Sequence, residues 1–433
     1  MEQYVQMKSS GVPWLLDIPE TWGIRVLFQL ADQVKSKNKD LSEQNLLSLS
    51  YGRIKRKDIN SSDGLLPDSF DGYNIIEAND IVLRLTDLQN DHTSLRVGQS
   101  HERGIITSAY TTLRPSALVW PAYLYYVLHA YDLIKGFYGM GSGVRQGLNY
   151  DEVKTIKIPF PSQTEQQAIA AYLDDQVTQI DSIIAETQAS IEEYKQWKSA
   201  VIFDAVTKGL EPSTPMRDSG IRWIGQIPVG WSMCPIKRLT TKIGSGKTPA
   251  GGAEVYSDEG VLFLRSQNVY DTGLLLEDVS HISDEIDAEM KNTRVEYRDV
   301  LLNITGGSIG RCCLFDLPNV RANVNQHVCI LRTKETELLP EFLRYFWNSS
   351  VGSIVVGYYQ TGGNRQGLNF EQIGRVKIPL CSITTQRNIV TFLDDQCATF
   401  NELIAEKQLL VNDLESYKRS LIYETVTGKR KVV

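Results

Sequence analysis

Residues 143–150 read G-V-R-Q-G-L-N-Y, and residues 363–370 read G-N-R-Q-G-L-N-F. The two runs are 220 residues apart, and matches at this offset continue without a gap for roughly 65 residues. The clearest further matches are Lys157-Ile158-Pro159 with Lys377-Ile378-Pro379, and Leu173-Asp174-Asp175-Gln176 with Leu393-Asp394-Asp395-Gln396. A repeat of this length indicates that the chain contains two copies of one structural unit.

The composition is that of a globular protein with more than one domain. The chain has 433 residues, of which 42% are hydrophobic and 22% charged. No apolar signal segment follows Met1, and the six cysteines form no C-x-x-C pair, so we expect free thiols and a cytoplasmic location. The most apolar stretch, residues 116–134, contains Pro121, His129 and Asp132, which favours a buried helix over a membrane span.

The net charge of −7 at first opposes a nucleic-acid partner. The excess acid is confined to two segments, because residues 162–208 carry a net charge of −5 and residues 382–427 a net charge of −3. The remainder of the chain is close to neutral and contains local clusters of Lys and Arg. The charge therefore leaves DNA contact possible outside these two segments.

Each copy has the same predicted order of elements. It opens with a Trp/Ile-Pro/Trp cluster, at residues 10–22 and 219–231, which we interpret as a clasp that packs on its own domain. Short apolar runs follow, for example at residues 46–49, 81–85 and 105–106, and these predict strands. Residues 121–133 have helical periodicity, with proline in the first turn. Each copy is thus predicted to be a mixed α/β (α+β) globule of about 150 residues.

A long helix is predicted after each globule. Ser162 and Glu165 have the spacing of a capping box, and the first helix should stop near Gly209. Apolar residues alternate at spacings of three and four, which is typical of a coiled-coil seam, and we expect the two helices to pair antiparallel. An ordinary core stripe is the alternative. The seam residues, also the candidates for partner docking, are Leu173, Val177, Ile180, Ile184, Ile191, Leu393, Phe400, Ile404, Val411 and Leu414.

These patterns predict four segments. Residues 1–160 and 212–379 form the two globules, and residues 161–211 and 380–433 form the two long helices with their flanks.

No catalytic or metal-binding constellation is visible. Gly246-Lys247-Thr248 resembles the end of a phosphate-binding loop, but Thr241 stands where the first glycine of that motif belongs, and Pro249 stands where its helix should begin. The five histidines are scattered singly, so we expect no metal site and no catalytic residue in this chain.

Loops rich in Arg, Lys, Asn and Gln are the candidate DNA-binding regions, because Arg can read guanine, and Asn and Gln can read adenine. Solvated surface charge is the alternative for each residue. The candidates in the first copy are Arg53, Lys55, Arg56, Lys57, Arg84, Arg96, Arg103, Arg145 and Gln146, with Lys35, Lys37 and Lys39 nearby. Those in the second copy are Lys247, Arg265, Gln267, Asn268, Arg311, Asn325, Gln326, Arg365 and Gln366, with Arg321 and His327 nearby.

The Arg-Gln pairs of the recurring run need a separate interpretation. If the two copies bind different sequences, residues that are identical in both cannot discriminate between them. We therefore assign Arg145, Gln146, Arg365 and Gln366 to phosphate positioning or to fixing a turn. Specificity should lie where the copies differ, at residues 51–74 and 87–103 of the first copy and residues 244–258, 265–275 and 306–327 of the second.

Taken in order, these motifs resemble the specificity subunits of type I restriction–modification systems. The resemblance covers nearly the whole chain. It rests on S-G-V-P-W and I-P-E-T-W near the start, the duplicated R-Q-G-L-N and K-I-P runs, and the L-D-D-Q opening and A-V-T-K-G-L closing of the first long helix. The second copy ends T-V-T-G-K-R, a small departure that concerns the end of the second helix.

The resemblance implies two target-recognition domains, each of which reads one half of a split, asymmetric double-stranded DNA site. It implies that the paired helices separate these domains and dock the modification (methyltransferase) subunits. S-adenosylmethionine, ATP and Mg are then expected on partner subunits, including a restriction subunit with endonuclease and translocase activity, and none of them on this chain. No membrane partner is expected.

Two other classes of function remain open at this point. A single-chain nuclease or methyltransferase is disfavoured by the missing motifs. A coiled-coil scaffold or adaptor with no nucleic-acid role would explain the seams and the acidity, but it leaves the two large globules unexplained.

Overall fold

The computed structural model describes residues 4–60, 67, 69–140, 147–360 and 367–432. The chain divides into two compact units. Unit 1 comprises Met1–Gln188 and Leu409–Val433, and unit 2 comprises Ala189–Gln408. Each unit holds one globule and a part of each of the two long helices. The predicted mixed α/β class with an internal two-fold repeat is confirmed.

The first half of the chain contains twelve of the described strands and three helices. The strands are β1 (Met7–Ser9), β2 (Asp17–Pro19), β3 (Gly23–Val26), β4 (Ala31–Gln33), β5 (Leu47–Ser50), β6 (Arg53–Arg56), β7 (Asn74–Ile76), β8 (Ile81–Leu83), β9 (Val97–Gln99), β10 (Gly104–Ile106), β11 (Thr111–Pro115) and β12 (Lys157–Phe160). The helices are α1 (Pro121–Leu133), α2 (Tyr150–Val153) and α3 (Gln163–Lys208).

The second half follows the same plan with additional elements. Its strands are β13 (Met216–Asp218), β14 (Gln226–Pro228), β15 (Ser232–Pro235), β16 (Thr240–Ser245), β17 (Val261–Leu264), β18 (Val269–Tyr270), β19 (Gly273–Leu274), β20 (Ser280–Ile282), β21 (Arg294–Val295), β22 (Val300–Asn303), β23 (Cys312–Leu314), β24 (Ala322–Val324), β25 (Val328–Thr333) and β26 (Lys377–Leu380). Its helices are α4 (Ile236–Leu239), α5 (Asp284–Glu289), α6 (Pro340–Asn348), α7 (Ser350–Gln360), α8 (Phe370–Arg375) and α9 (Ile383–Val426).

Each unit is built on a four-stranded antiparallel sheet. The strand order is β4-β11-β8-β9 in unit 1 and β16-β25-β22-β23 in unit 2. The K-I-P strands β12 and β26 pair with β3 and β15. The Trp/Ile-Pro/Trp clusters contribute β2 and β14, which pair with the strands β1 and β13 just before each cluster. The repeat in the sequence is therefore a repeat of strand pairing.

An ion pair between a buried aspartate and a partly exposed arginine recurs at the same place in both sheets. The guanidinium of Arg114 contacts the carboxylate of Asp80 at 2.6 Å, and Arg332 contacts Asp299 at 2.8 Å. Both Asp side chains are almost fully buried, and each also accepts a backbone N–H bond, which offsets the cost of burying the charge. These pairs fix the residue that precedes the central strands β8 and β22.

The helix α1 confirms the sequence prediction for residues 121–133. Pro121 and Pro340 occupy the first turns of α1 and α6, where a missing backbone N–H has no consequence for helix bonding. Tyr123, Leu124, Val127 and Leu128 of α1 are fully buried, as expected for a core helix.

The helix α3 extends over 46 residues and ends just before Gly209, whose φ of +78° is typical of a helix C-terminus. Only half of the expected capping box is present. The Ser162 hydroxyl accepts the Glu165 N–H at 3.3 Å, but the Glu165 carboxylate accepts hydrogen bonds from Tyr4 and, at 3.0 Å, from the indole of Trp22. The carboxylate thus holds the opening cluster of unit 1 on α3, because a buried indole N–H requires an acceptor.

The two long helices pack together antiparallel, as predicted. In unit 1 the Lys418 ammonium contacts Asp181 at 2.6 Å, and in unit 2 the Lys198 ammonium donates to Asn401 at 2.7 Å. Polar residues therefore interrupt the seam at paired positions. The seam residues Leu173, Ile180, Ile184, Ile191, Leu393 and Val411 are buried, and Val177, Phe400, Ile404 and Leu414 are half-buried.

Candidate nucleic-acid interface

The recurring R-Q-G-L-N run ends at the same edge of the four-stranded sheet in both units. The Leu148 N–H donates to the Leu85 carbonyl at 2.8 Å, and the Leu368 N–H donates to the Ile304 carbonyl at 2.8 Å. Leu85 and Ile304 lie shortly after the strands β8 and β22. The end of the run is thus anchored where the central strand of each sheet stops.

The asparagine of the run caps the short helix that follows. The Asn149 side chain accepts the Glu152 N–H, and the Glu152 carboxylate accepts the Asn149 N–H at 2.8 Å. Asn369 and Gln372 form the same reciprocal pair in unit 2. These identities have a structural cause, since they form capping boxes. Arg145, Gln146, Arg365 and Gln366 lie outside the residues that the structure describes.

Three loops of unit 2 meet at this edge through polar side chains, and we call residues Lys247, Thr248, Thr305, Gln326 and His327 the polar edge of unit 2. The Thr248 hydroxyl donates to the Gln326 amide oxygen, Gln326 Nε2 lies 3.1 Å from His327 Nε2, and His327 Nδ1 lies 2.5 Å from the Thr305 hydroxyl. Lys247 and Gln326 are exposed. The edge presents a cation, an amide and an imidazole, which can contact phosphates and base edges.

A glycine allows the first of these loops to reach the edge. A Cβ atom at Gly246 would lie 1.5 Å from the Val324 carbonyl oxygen, so any side chain there would force the loop away from β24. Glycine is therefore needed at position 246 because two backbone segments approach closely there. The strand β16 precedes Gly246-Lys247-Thr248, but within the described residues no phosphate-binding helix follows it.

Two arginines of unit 2 are held against aromatic rings. The Arg265 guanidinium lies 5.6 Å from the centre of the Tyr256 ring, and the Arg311 guanidinium lies 4.5 Å from the centre of the Tyr270 ring. A contact of this kind holds the planar guanidinium in one orientation while it stays half-exposed. Arg321 pairs with Asp284 at 2.6 Å.

The amide residues of unit 2 differ in their exposure. Gln267 is exposed, whereas Asn268 is buried and forms hydrogen bonds with the Arg265 N–H and the Leu275 carbonyl, each at 2.9 Å. Asn325 is also buried and accepts the His327 N–H at 3.1 Å. The structure gives Asn268 and Asn325 a role in shaping loops, and direct DNA contact by these two residues stays a prediction.

In unit 1 the candidate surface is one face of the hairpin β5-β6. Tyr51 and Gly52 both have positive φ, as in the tight two-residue turns that match the strand twist. Because side chains alternate along a strand, Arg53 and Lys55 lie on one face, together with Ser48 and Ser50 of the paired strand. We call Ser48, Ser50, Arg53 and Lys55 the hairpin face.

The hairpin face is tied to the long helices. The Arg53 guanidinium contacts Asp181 of α3 at 2.6 Å, and the same carboxylate contacts Lys418 of α9. For Lys55 and Lys57, both exposed, the described residues provide no ion pair. These two lysines have ammonium groups available for phosphate contact.

Three further candidate arginines of unit 1, Arg56, Arg84 and Arg103, are paired with carboxylates. Arg56 forms a bidentate contact with Glu102, Arg103 contacts Glu43 at 2.9 Å and Glu77 at 2.6 Å, and Arg84 lies 3.8 Å from Asp91. The hydrogen bond from Arg56 lowers the pKa of the Glu102 carboxyl. Exposed pairs of this kind contribute little to stability, so phosphates can replace the carboxylates at small cost.

Comparison with known proteins identifies the family. A family model described as "Type I restriction modification DNA specificity domain" matches residues 69–193 and 228–412, more than half of the chain. The chain belongs to this family. It is 25% identical over 261 residues to the type I restriction enzyme EcoBI specificity subunit of Escherichia coli, over 58% of this chain and 53% of that subunit. It is 22% identical to the type I restriction enzyme StySPI specificity subunit of Salmonella potsdam, over 73% of this chain and 67% of that subunit.

The same fold is found in a solved structure. A chain in the structure described as "Structural basis underlying complex assembly and conformational transition of the type I R-M system" superposes with a TM-score of 0.70. The superposition covers 94% of this chain and 98% of that chain at 13% sequence identity, so the similarity concerns the fold. The predicted resemblance to type I specificity subunits is confirmed, and with it the assignment of this chain as a DNA specificity subunit.

One predicted contact residue of this specificity subunit is placed in its interior. Arg96 is fully buried, and its guanidinium donates to Tyr138 and to the carbonyls of Arg84, Thr86, Asp87 and Asp91. Its donors are used within the protein, where they hold the loop after β8. Arg96 therefore has a structural role in this loop, and its contact with DNA stays a prediction.

The predicted docking residues hold the helix pair together, because the side chains of the seam face the other long helix. Val177, Phe400, Ile404 and Leu414 are half-buried, and docking of a second protein on the seam stays a prediction. Several large apolar side chains on the outside of the helices are exposed, and sequence periodicity did not single them out. They are Ile183, Leu409, Leu410 and Tyr417 in unit 1, and Phe392 and Trp197 in unit 2, with Trp197 60% exposed.

The structure adds residues that the sequence did not indicate. Thr248 and Thr305 join Lys247, Gln326 and His327, although up to about 80 positions of sequence separate them. The strand pairing brings these loops together, because β16 pairs with β25 and β25 pairs with β22, so the ends of these strands meet at one edge of the sheet. This pairing could not be read from the sequence. Within the described ranges, no group of three or more His, Cys, Asp and Glu side chains could hold a metal ion, and no helix is long and apolar enough to cross a bilayer.

Proposed function

We propose that each globule of this specificity subunit reads one half of a bipartite, asymmetric sequence in double-stranded DNA. The observation that carries the proposal is the combination of a repeated frame with different exposed loops. Both units share the four-stranded sheet, the K-I-P strand and the capped helix after the R-Q-G-L-N run, whereas the hairpin face and the polar edge of unit 2 present different side chains.

The contacts are proposed to fall into two groups. Lys55, Lys57 and Lys247 contact phosphates and fix the position of each globule on the duplex. Arg53, Arg265, Gln267, Arg311 and Gln326 are the candidates for base contacts, because their side chains are exposed or half-exposed and carry the donors that base edges accept. Arg56, Arg84 and Arg103 join the phosphate contacts once DNA displaces their carboxylates.

The paired helices are proposed to act as the spacer and as the docking surface for modification subunits. α3 has 46 residues, so a straight helix would measure ~69 Å, about two turns of duplex DNA. The helices are acidic, which disfavours a DNA face and suits contact with protein. The exposed apolar side chains defined above are the proposed docking residues, since such side chains on a charged helix favour a protein partner.

The proposed segments are residues 1–160 and 212–379 for the recognition domains, and residues 161–211 and 380–433 for the helices. The proposed partners are the modification subunits, which bind S-adenosylmethionine and methylate adenine, and a restriction subunit that uses ATP and Mg. The specificity subunit supplies the choice of sequence to both reactions.

Salt-dependent DNA binding tests the proposal. The complex of this chain with its modification subunits should bind duplex DNA with an affinity that falls steeply as salt rises, by about one power of ten in affinity per tenfold rise in salt for each phosphate neutralised. The modification subunits alone provide the control. A complex whose DNA affinity and salt dependence equal those of the control would assign this chain to a scaffold function.

A further inference from the structure

A pair of fully buried glutamines connects each globule to the long helix that follows it. In unit 1 the Gln166 amide oxygen accepts the Trp120 N–H at 2.8 Å, and its nitrogen donates to the Pro161 carbonyl at 3.0 Å. Gln166 belongs to α3, Trp120 precedes α1, and Pro161 follows β12. One side chain therefore joins the long helix, the globule helix and the K-I-P strand.

Unit 2 contains the same arrangement. The Gln386 amide oxygen accepts the Leu339 N–H at 2.9 Å, and its nitrogen donates to the carbonyls of Cys381, at 3.0 Å, and Glu337, at 2.9 Å. We call each of these the glutamine latch. The residues that the glutamine contacts differ between the units. Because the glutamine binds only their backbone N–H and carbonyl groups, the same hydrogen bonds form in both units.

A tyrosine–aspartate pair two turns further along the long helix accompanies each latch. The Tyr126 hydroxyl of α1 donates to Asp174 at 2.8 Å, and the Tyr345 hydroxyl of α6 donates to Asp394 at 2.5 Å. Burial and the neighbouring carboxylate raise the pKa of both tyrosines, so the hydroxyls remain donors. Two contacts at separate points on one helix fix an orientation, whereas a single contact would leave a pivot.

The glutamine latch resists movement because water cannot reach it to replace its hydrogen bonds. Gln166 and Gln386 are both fully buried, so water cannot replace a broken bond, and a broken bond would leave a buried amide unsatisfied. An exposed glutamine at the same place would exchange with solvent. The cost of tilting the globule against its helix is therefore high in both units.

We propose that Gln166 and Gln386, each with its tyrosine–aspartate pair, determine which length of unread DNA between the two half-sites is accepted. The inference rests on the proposed function, because it assumes that both globules contact one duplex. One added base pair moves a half-site by about 3.3 Å and rotates it by about 34°. A globule that is held rigidly cannot follow this movement, so the latches reject wrong spacers. Gln166 and Gln386 are positioning residues and do not touch DNA.

The test uses the intact chain with its modification subunits in a host without adenine methylation. Gln166→Met keeps the length of the side chain and removes its hydrogen bonds, and Gln386→Met does the same in unit 2. Gln167→Met is the matched control, because Gln167 is the next residue of α3 and is exposed. Tyr126→Phe and Tyr345→Phe are milder variants that keep the ring. Methylated sites are mapped across the genome for each variant.

We expect both half-site sequences to remain those of the wild type. The ratio of methylation at spacers one base pair longer or shorter to methylation at the native spacer should rise roughly tenfold in the glutamine variants, the factor associated with loss of about one buried hydrogen bond. The tyrosine variants should show a smaller rise in this ratio, and Gln167→Met none.

Methylation that stays confined to the native spacer in the glutamine and tyrosine variants, whether at full or reduced level, would overturn the proposal and leave the latch a purely structural role. Loss of methylation at all spacers in all four variants would overturn it as well, since the latch would then serve folding. Failure of the proposed function is distinguishable, because the wild-type chain itself would then direct no bipartite methylation.

Discussion

Unit 1 and unit 2 share a frame but differ in what they add to it. Unit 1 carries the hairpin β5-β6 and the pair β7-β10, whereas unit 2 carries a second four-stranded sheet with the order β20-β17-β24-β21 and the pair β18-β19. The shared parts include the glutamine latch and the tyrosine–aspartate pair, which hold the globule on its long helix, together with the Asp–Arg ion pair of the sheet and the capping box of the short helix. The two units therefore share the residues that position the globule, and they differ in the strands and side chains that the globule exposes.

The seam between the long helices also combines a shared residue with one that differs between the units. Lys418 in unit 1 and Lys198 in unit 2 occupy equivalent positions of the repeat, but their acceptors are Asp181 and Asn401, respectively. The carboxylate in unit 1 also binds Arg53 of the hairpin face. The acid at position 181, where unit 2 has the amide Asn401, thus couples the hairpin β5-β6 to the helices in unit 1.

The largest effect is expected from exchange of an entire globule. Replacing residues 10–160 with the corresponding unit of another family member should change one half of the methylated motif and leave the other half as it is, because each globule has its own core and sheet. Mapping of methylated adenines reports the result. A change in both halves would show that the two units do not read DNA separately.

Adjacent isoleucines of α3 separate the seam from the outer face of the helices. Ile184 is 8% exposed and Ile183 is 45% exposed. Ile184→Ala should lower the free energy of unfolding by about 2–4 kcal/mol, because it removes buried methyl groups from the seam. Ile183→Ala should cost less than about 1 kcal/mol and weaken binding of the modification subunits. Urea denaturation and co-purification are the measurements, and equal losses of stability would contradict this placement.

The stability of unit 1 should depend on pH through His129, whereas unit 2 has an asparagine, which does not titrate, at the equivalent position. Burial, with a contribution from Lys418, lowers the pKa of His129 to about 4, and the equivalent residue of unit 2 is Asn348. The unfolded chain takes up a proton below about pH 6.5, while folded His129 stays neutral until about pH 4. Stability should therefore fall as the pH drops from 6.5 to 4, by up to about 3 kcal/mol.

The variant His129→Asn, which copies the residue of unit 2, should remove most of this dependence. The free energy of unfolding of wild type and variant, measured by urea denaturation at pH 7 and pH 4.5, checks the expectation. Asp132 remains in both proteins, and burial raises its pKa to about 6, so its own contribution changes in the opposite direction and cancels in the comparison. Identical pH profiles would show that His129 is accessible to protons when folded.

The smallest effect is expected at Lys55 and Lys57, for which the described part of the chain provides no ion pair. Lys55→Ala with Lys57→Ala should weaken binding to all DNA sequences about equally and reduce the slope of log affinity against log salt by about 2, because two phosphate contacts are lost. Lys195→Ala is the control, since Lys195 lies on α3 in an ion pair with Glu192. A loss restricted to one sequence would instead assign these lysines to base contact.

The sequence predicted the parts of this molecule that depend on local pattern. The repeat, the bounds of α1, the end of α3 before Gly209 and the antiparallel seam follow from periodicity, proline and glycine, and they are confirmed. The half-filled capping box at Ser162 was not foreseeable, because Glu165 has acceptor atoms that a distant tryptophan can use equally well.

The residues of the interface were less predictable, because exposure depends on tertiary contacts. Arg96 and Arg53 are both arginines near predicted strands, yet one is fully buried among carbonyls and the other is exposed beside Asp181. Asn268 and Gln267 are neighbours with opposite exposure. The latch residue Gln166 was not predictable, since α3 contains several glutamines and no pattern in the sequence marks this one as buried.

Genome-wide adenine methylation in a methylation-free host tests the central claim most directly. The modification subunits are expressed with and without this chain, and methylated positions are mapped. A bipartite motif that appears only when this chain is present is the predicted result. A motif that is the same without this chain, or a complex that assembles and methylates no defined sequence, would contradict the claim that the two globules select the DNA site.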